Sequence, residues 1–421
     1  MRSDTSCTGS TTLGSQSLGA PTHQSLSNPK WLKNINDLPE ILLVEIFCRL
    51  PCKFALRCKC VCKSWSTLVS DPYFDSRRAL YLRNNCDNDQ VLMFVSRSFT
   101  SGYFKTELFT ISKQSHQGLN VKPLDLDPRS HFRFHRVVAA YNDLILLCYY
   151  HTFDQEQHIY YICNPTTKQW VALPSAPPCE EEVHVANVGF ACDSDNRCCK
   201  VVRILALGLN FGTDKLGVQI FSSETGKWID SDLVLQGSCN TDDRIKNQTA
   251  PVAHDGTLYW ITHRGDLIGL ELFSKFNINS TKCHGRFISS PRPVHHGHSS
   301  TCVCQGSVRL CHFDYGRERY SLSVWDLKED EEWCFKELVD LHPLMSSFPV
   351  GSRLLAFDPN DQDILYIWRK EYTSNASDIL MCNIRKLTVT EIFQFKACVS
   401  LNSFPFVLPW GRWPTPVPRL N

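Results

Sequence analysis

The sequence predicts a two-part molecule: a small helical module near the N-terminus, then a long all-β region built from repeated units. Three observations carry this expectation. Apolar residues between 38 and 50 recur with helical periodicity, whereas after about Leu82 short runs rich in Val, Ile, Phe, Tyr and Trp alternate with Pro, Gly and Asn turns. The β region also repeats itself, because Asn164-Pro165-Thr166-Thr167-Lys168-Gln169-Trp170 and Ser222-Ser223-Glu224-Thr225-Gly226-Lys227-Trp228 share a turn leading to Trp, 58 residues apart.

Length and charge bound the possibilities. A chain of 421 residues exceeds what one hydrophobic core usually organises. Its 44 Lys and Arg balance 43 Asp and Glu, which removes any overall electrostatic case for nucleic acid or an anionic membrane; the expected partner is protein. No apolar run reaches the roughly 18 residues needed to span a bilayer, and the first thirty residues lack the apolar core of a signal peptide. The chain is therefore expected in the cytoplasm, the nucleus or both. In that setting its 21 cysteines are expected as free thiols that pack like small hydrophobes, and the sequons at Asn247, Asn279 and Asn375 have no role.

Residues 1–30, mostly Ser and Thr with scattered Gly and Gln, offer too little apolar surface to offset the entropy of ordering and are expected as a disordered tail. The helical module is expected over 31–83. Asp37-Leu38-Pro39-Glu40 reads as a helix start with Asp37 as N-cap, and Pro51 stops the helix after Leu50. At 100° per residue Leu38, Leu42, Leu43, Ile46, Phe47 and Leu50 form one broad apolar wedge, and Ile41, Val44 and Cys48 a second stripe. About three helices in so short a module cannot cover both faces, so an outside partner is expected on one of them. Between Trp31 and Arg83 nine Lys and Arg outnumber five acids, which favours a mildly acidic partner.

Asp37-Leu38-Pro39-Glu40, Ile46, Leu50-Pro51, then Arg57-Cys58-Lys59-Cys60-Val61-Cys62-Lys63-Ser64-Trp65 and Ser70-Asp71-Pro72-Tyr73-Phe74 closely resemble a plant-type F-box. The resemblance implies binding of a Skp-type adaptor, itself held by a cullin scaffold that carries the ubiquitin-loading machinery. It assigns the adaptor surface to Leu38, Pro39, Leu42, Ile46, Leu50 and Pro51, with Trp65 as a core anchor.

In the β region, turn signals at Asn142-Asp143, Asp255-Gly256, Gly265-Asp266, Gln305-Gly306 and Pro359-Asn360 separate apolar runs and are read as hairpin corners. A looser third copy of the repeat ends on Trp333. Units of strand, polar turn and Trp-led strand, repeated radially, make a β-propeller, and some 330 residues hold about six or seven blades. The region 84–415 is also similar to the kelch-like F-box-associated domain of plant F-box proteins, through Ile162-Cys163-Asn164-Pro165 to Trp170, Val188-Gly189-Phe190, Gln219-Ile220-Phe221 and Gly256-Thr257-Leu258-Tyr259-Trp260. Asn142-Asp143 stands where that family favours Asn-Gly, and the doubled glycines of kelch repeats are missing. Residues 416–421 are expected as a short tail.

Catalytic and phosphate-binding motifs do not occur: there is no G-x-S-x-G, H-E-x-x-H, G-x-G-x-x-G or phosphate loop. His295, His296, His298, Cys302, Cys304, Cys311 and His312 have metal-compatible chemistry but not the usual ligand spacing, and are read as a His-rich loop before a buried strand. Cys58, Cys60 and Cys62 are read as core packing, and Glu180–Glu182 and Asp330–Glu332 as solvated loop charges. No metal, cofactor or catalytic residue is expected. The implied function is that of a substrate receptor of an SCF-type ubiquitin ligase, acting by proximity on an unknown protein substrate; the alternative is a non-degradative F-box scaffold.

Overall fold

The computed structural model describes residues 35–407 with internal breaks, the longer ones at 79–89, 125–134, 237–244 and 274–281. Both expected tails and Pro51 lie outside the described residues.

The helical module opens with a 3₁₀ turn at Ile35–Asp37, followed by α1 (Glu40–Arg49), α2 (Cys52–Cys58) and α3 (Lys63–Val69). The N-cap differs from expectation. Pro39, not Asp37, holds that position, its fixed φ of −51° leading into the helix without a side-chain cap. The faces of α1 also differ. Leu43, Val44, Phe47 and Cys48 turn inward together, whereas Leu42 and Ile46 point out, so the predicted wedge is split. An arc from Leu43 round to Cys48 is the one that α2 and α3 can cover, and a single-helix periodicity could not show where its neighbours would lie. Cys58 is buried, but Cys60 and Cys62 are exposed. They sit in the turn before α3, where Cys62 is the N-cap and its sulfur accepts from the Trp65 amide at 3.5 Å.

Arg78 is the unexpected keystone of this module. Fully buried, it donates to the Phe47 and Cys48 carbonyls at 3.1 and 3.2 Å, at the C-terminal end of α1, where the Phe47 carbonyl also accepts from the Leu50 amide at 3.2 Å. Arg77 beside it pairs with Glu45 and holds that carboxyl below its usual range. Arg78→Ala is expected to cost roughly 2–4 kcal/mol, the range for losing a buried charged donor that bonds two carbonyls at once. The test is denaturant unfolding of the full chain: the helical signal should melt earlier while the β signal keeps its midpoint.

The β region consists of antiparallel sheets taken up in chain order. β1 (Gln90–Thr100), β2 (Tyr103–Lys113) and β3 (Leu119–Leu124) form one sheet. β4 (His135–Tyr141), β5 (Leu144–Tyr150), β6 (His158–Asn164) and β7 (Gln169–Ala172) form the next. β8 (Val183–Cys192), β9 (Cys199–Leu207), β10 (Lys215–Ser222) and β11 (Lys227–Gln236) join β12 (Val252–His254), β13 (Thr257–Ile261), β14 (Leu267–Glu271) and β15 (Lys282–Ile288) through a parallel β11–β15 edge. β16 (Gly297–Cys304), β17 (Ser307–Gly316), β18 (Arg319–Leu327) and β19 (Trp333–Asp340) make another sheet. β20 (Arg353–Phe357), β21 (Ile364–Lys370), β22 (Ala376–Asn383) and β23 (Thr388–Lys396) make the last.

The final strand, β24 (Cys398–Val407), returns to pair with β1, running from Gln90↔Val407 to Ser98↔Cys398. Strands β4, β8, β12, β16 and β20 each lie against the next, β20 lies against β24, and β24 against β4. The ring is closed: a β-propeller.

Apolar side chains fill each gap between neighbouring sheets. Leu144, Leu146 and Tyr160 meet Phe190, Val201 and Phe221; Tyr259, Ile261 and Leu267 meet Val303, Val308 and Leu310. At the closure Phe94 meets Tyr366 edge-on, with centroids 5.5 Å apart, and Phe109 stacks on Phe393 at 5.1 Å. The expected corners are turns, and Asn142, Asp255, Gly256, Gln305 and Gly306 all take positive φ there, as tight hairpins of this hand require.

The Trp repeat has a physical meaning. Trp170, Trp228 and Trp333 are the first or second residues of the fourth strand of a set. Trp228 Nε1 reaches back to the Pro174 carbonyl at 2.9 Å and Trp333 Nε1 to that of Ser289 at 2.8 Å, each tying its sheet to the connection that leaves an earlier one. One expectation fails: Cys192 and Cys199 are direct cross-strand partners on β8 and β9 and form a disulfide, because the hairpin register puts them opposite one another.

Candidate functional site

The open surface of α1 is where the module has apolar groups that its own core does not use. Pro39 is exposed, and Leu42 and Ile46 retain 47% and 39% of their accessible surface. Leu38 and Leu50 are half-buried, packed with Trp65 against the core of Leu43, Val44, Phe47, Leu68, Val69 and Phe74. The ring of Trp65 meets Phe47 edge-on at 4.7 Å. Of the residues expected to face a partner, Pro39, Leu42 and Ile46 are thus free to do so through their side chains, while Leu38 and Leu50 contribute an edge.

Sequence reasoning missed Phe54 and Val61, both exposed, with the Arg57 guanidinium 5.8 Å from the Phe54 ring. In the seven-residue α2 the apolar period is too short to separate an outward from an inward face. On another side, an open groove of about 620 Å³ runs between α1 and α3, lined by Ile41, Val44, Thr67, Leu68 and Tyr73 among others. The module therefore has apolar surface on more than one side, and such contiguous patches mark contact sites.

Among the described residues no group of three or more His, Cys, Asp or Glu is placed to hold a metal. Cys302, Cys304, Cys311 and His312 are all buried in β16 and β17, and His295 and His296 lie outside the described residues. Burial, with help from Arg292 and Lys246 and opposed by Asp266, drives the His312 pKa down to about 4. A base whose folded pKa is lowered leaves the unfolded chain to bind the proton first. Stability is then full above about pH 6.5 and is lost as pH falls toward 4, by about 3 kcal/mol for this group. Urea unfolding between pH 4.5 and 7.5 should show this acid loss shrinking in His312→Asn.

A second buried polar centre ties two sheets together. Arg203, fully buried, donates to the Pro177 carbonyl at 2.8 Å, to Gln219 Oε1 and to His158 Nδ1 at 3.0 Å, between the rings of Tyr160 and Trp228. Burial, then Arg203, lowers the His158 pKa, which keeps Nδ1 available as an acceptor. This arrangement positions the 173–179 connection, where Cys179 Sγ also accepts from Arg203 at 3.7 Å.

An exposed apolar helix face on a small module, followed by a closed propeller, defines a two-part protein with a contact surface on its helical part. Comparison with known proteins agrees: a model of the F-box domain matches residues 35–77, and one described as F-box protein At3g26010-like, beta-propeller, matches 104–415. The chain belongs to this F-box beta-propeller family. It is similar to the F-box protein At3g26010 of Arabidopsis thaliana, with 22% identity across 80% of this chain and 75% of that one. It is also similar to F-box protein At5g49610 of the same plant, with 30% identity across 53% of this chain and 58% of the relative. Among solved structures it is similar to TolB from Acinetobacter baumannii, over 79% of this chain and 71% of that one, at a TM-score of 0.42 and 10% identity.

Proposed function

We propose that this protein is a substrate receptor of an SCF-type ubiquitin ligase. Its F-box, over residues 31–83 and built on three helices, docks a Skp-type adaptor and through it a cullin. The propeller, over residues 84–415 and with six blades if each set of four strands is one, holds a protein substrate. The observation that carries the reading is the outward stripe of Leu42 and Ile46 beside Pro39, on a module whose core is otherwise complete. Leu38, Leu50 and Pro51 would complete that surface. Desolvating such a stripe favours association by roughly 25 cal/mol per Å² of apolar area, before the cost of ordering is subtracted.

The mechanism is proximity. A substrate held on the propeller places its lysines at high effective concentration beside charged ubiquitin, and no residue of this chain performs the bond chemistry. Removing residues 37–74 is expected to leave substrate binding intact while severing the ligase, so that the deleted form protects the substrate by competition. The test is ubiquitination of a co-purified partner in a reconstituted ligase, beside its half-life in cells that express each form. A partner that binds the propeller, yet is never ubiquitinated and keeps the same half-life with both forms, would favour a non-degradative scaffold.

A further inference from the structure

The axis of the ring has chemistry that partner binding does not absorb. Each innermost strand pairs with its own sheet on one edge and turns the other to the axis, where backbone and small polar side chains have no further sheet to satisfy them. A cavity of about 30 Å³ is bounded by residues 249–252, by the innermost strands β16, β20 and β24, and by Leu92 of β1. That space admits one or two waters or a single monatomic ion.

The lining is polar on one side. Ser300 and Ser403 donate to the same Leu355 carbonyl at 3.3 and 3.2 Å, and Asn402 lies alongside. Thr301, 6% exposed, has a buried hydroxyl that makes no hydrogen bond within the described protein. Arg353 is the one charged residue among the described residues that line the cavity, and no carboxylate is among them. A second cation stands close by: Lys246 Nζ donates to the Ser299 carbonyl at 2.8 Å, at the start of β16. After burial itself, Lys246 and Arg353 are the causes that hold the His298 pKa below its usual value, so both positive charges act on this residue of β16.

We propose that the axial cavity is a binding site for a small monovalent anion of chloride's size, held between the Arg353 guanidinium and the Thr301 hydroxyl. Water alone could satisfy the hydroxyl, but an anion also gains from the field of two cations in a site of low dielectric. Because β16, β20 and β24 all contribute to the lining, the anion bridges the strands that close the ring and binds only the closed form. Its occupancy therefore adds to stability by mass action.

The test uses the full chain and chloride itself. At constant ionic strength, replacing gluconate by chloride should raise resistance to unfolding in a saturable way, by roughly tenfold in the folded-to-unfolded ratio at ten times the dissociation constant. Thr301→Val, nearly isosteric, and Arg353→Met should each remove the saturable response, and the first keeps the test valid if the second folds poorly. Crystals grown in bromide should show an anomalous peak within hydrogen-bonding reach of Thr301 Oγ1. An unfolding midpoint indifferent to chloride, a response that survives Thr301→Val, or an axis without a bromide peak would each overturn the proposal. None of these outcomes depends on whether the chain binds an adaptor, so this inference and the receptor reading stand or fall separately.

Discussion

Ile46→Asp, and equally Leu42→Asp, is expected to weaken binding of a Skp-type adaptor by at least about 100-fold while leaving the protein folded. A carboxylate forced into a desolvated apolar contact costs several kcal/mol without a partner, which is the scale of an interface hot spot. The fold should tolerate both changes because the two side chains already face water and lie outside the core of the module. Titration calorimetry with purified adaptor, run beside circular dichroism, separates the effects. Lost binding with an unchanged spectrum is the expected pair of results, and full binding by both variants would remove α1 from the interface. Phe47→Asp makes the contrast, since Phe47 is 1% exposed and its replacement should unfold the module outright.

Deleting residues 398–421 is expected to unfold the entire β region. β24 is the strand that completes the first sheet, and it carries Leu401, Phe404 and Phe406, all buried, into two of the inter-sheet cores. Without it β1 loses the partner along one edge, and apolar surface on both neighbouring sheets opens to water. A closed ring has no end that can fray independently, so the loss should spread to every sheet, whereas an open array would shed an end repeat and keep the rest. Thermal unfolding followed by strand-sensitive circular dichroism decides between them. Aggregation or the absence of a cooperative transition is expected, and a shortened chain that melts cooperatively near the full-length midpoint would contradict closure.

Much of this architecture was legible in the residues. Helical periodicity over 38–50 marked α1, and Asp255-Gly256 and Gln305-Gly306 marked two-residue hairpins because few side chains adopt positive φ without such a turn. The Trp repeat located the fourth strand of three sets. What it could not reveal was the purpose of those tryptophans, since their acceptors, the Pro174 and Ser289 carbonyls, belong to connections 54 and 44 residues away. The same limit applies to Arg78, whose sequence neighbours say nothing of the α1 carbonyls it caps, and to the Cys192–Cys199 bond, whose two thiols are set opposite one another by hairpin register. On the candidate site, periodicity identified α1 as apolar on two sides but assigned Leu43 and Phe47 to the same side as Leu42 and Ile46. Only the placement of α2 and α3 decides which of those four are core and which are available.

The receptor account rests on one physical claim, that the exposed stripe on α1 is an adaptor surface. Its most direct test is size-exclusion chromatography of the full chain mixed with a Skp-type adaptor and a cullin at micromolar concentration. The account predicts that the three proteins elute as one complex, that the complex is lost with Ile46→Asp, and that it persists with a charge change on the propeller such as Lys386→Glu. Separate elution of the wild-type chain from a folded adaptor would contradict it.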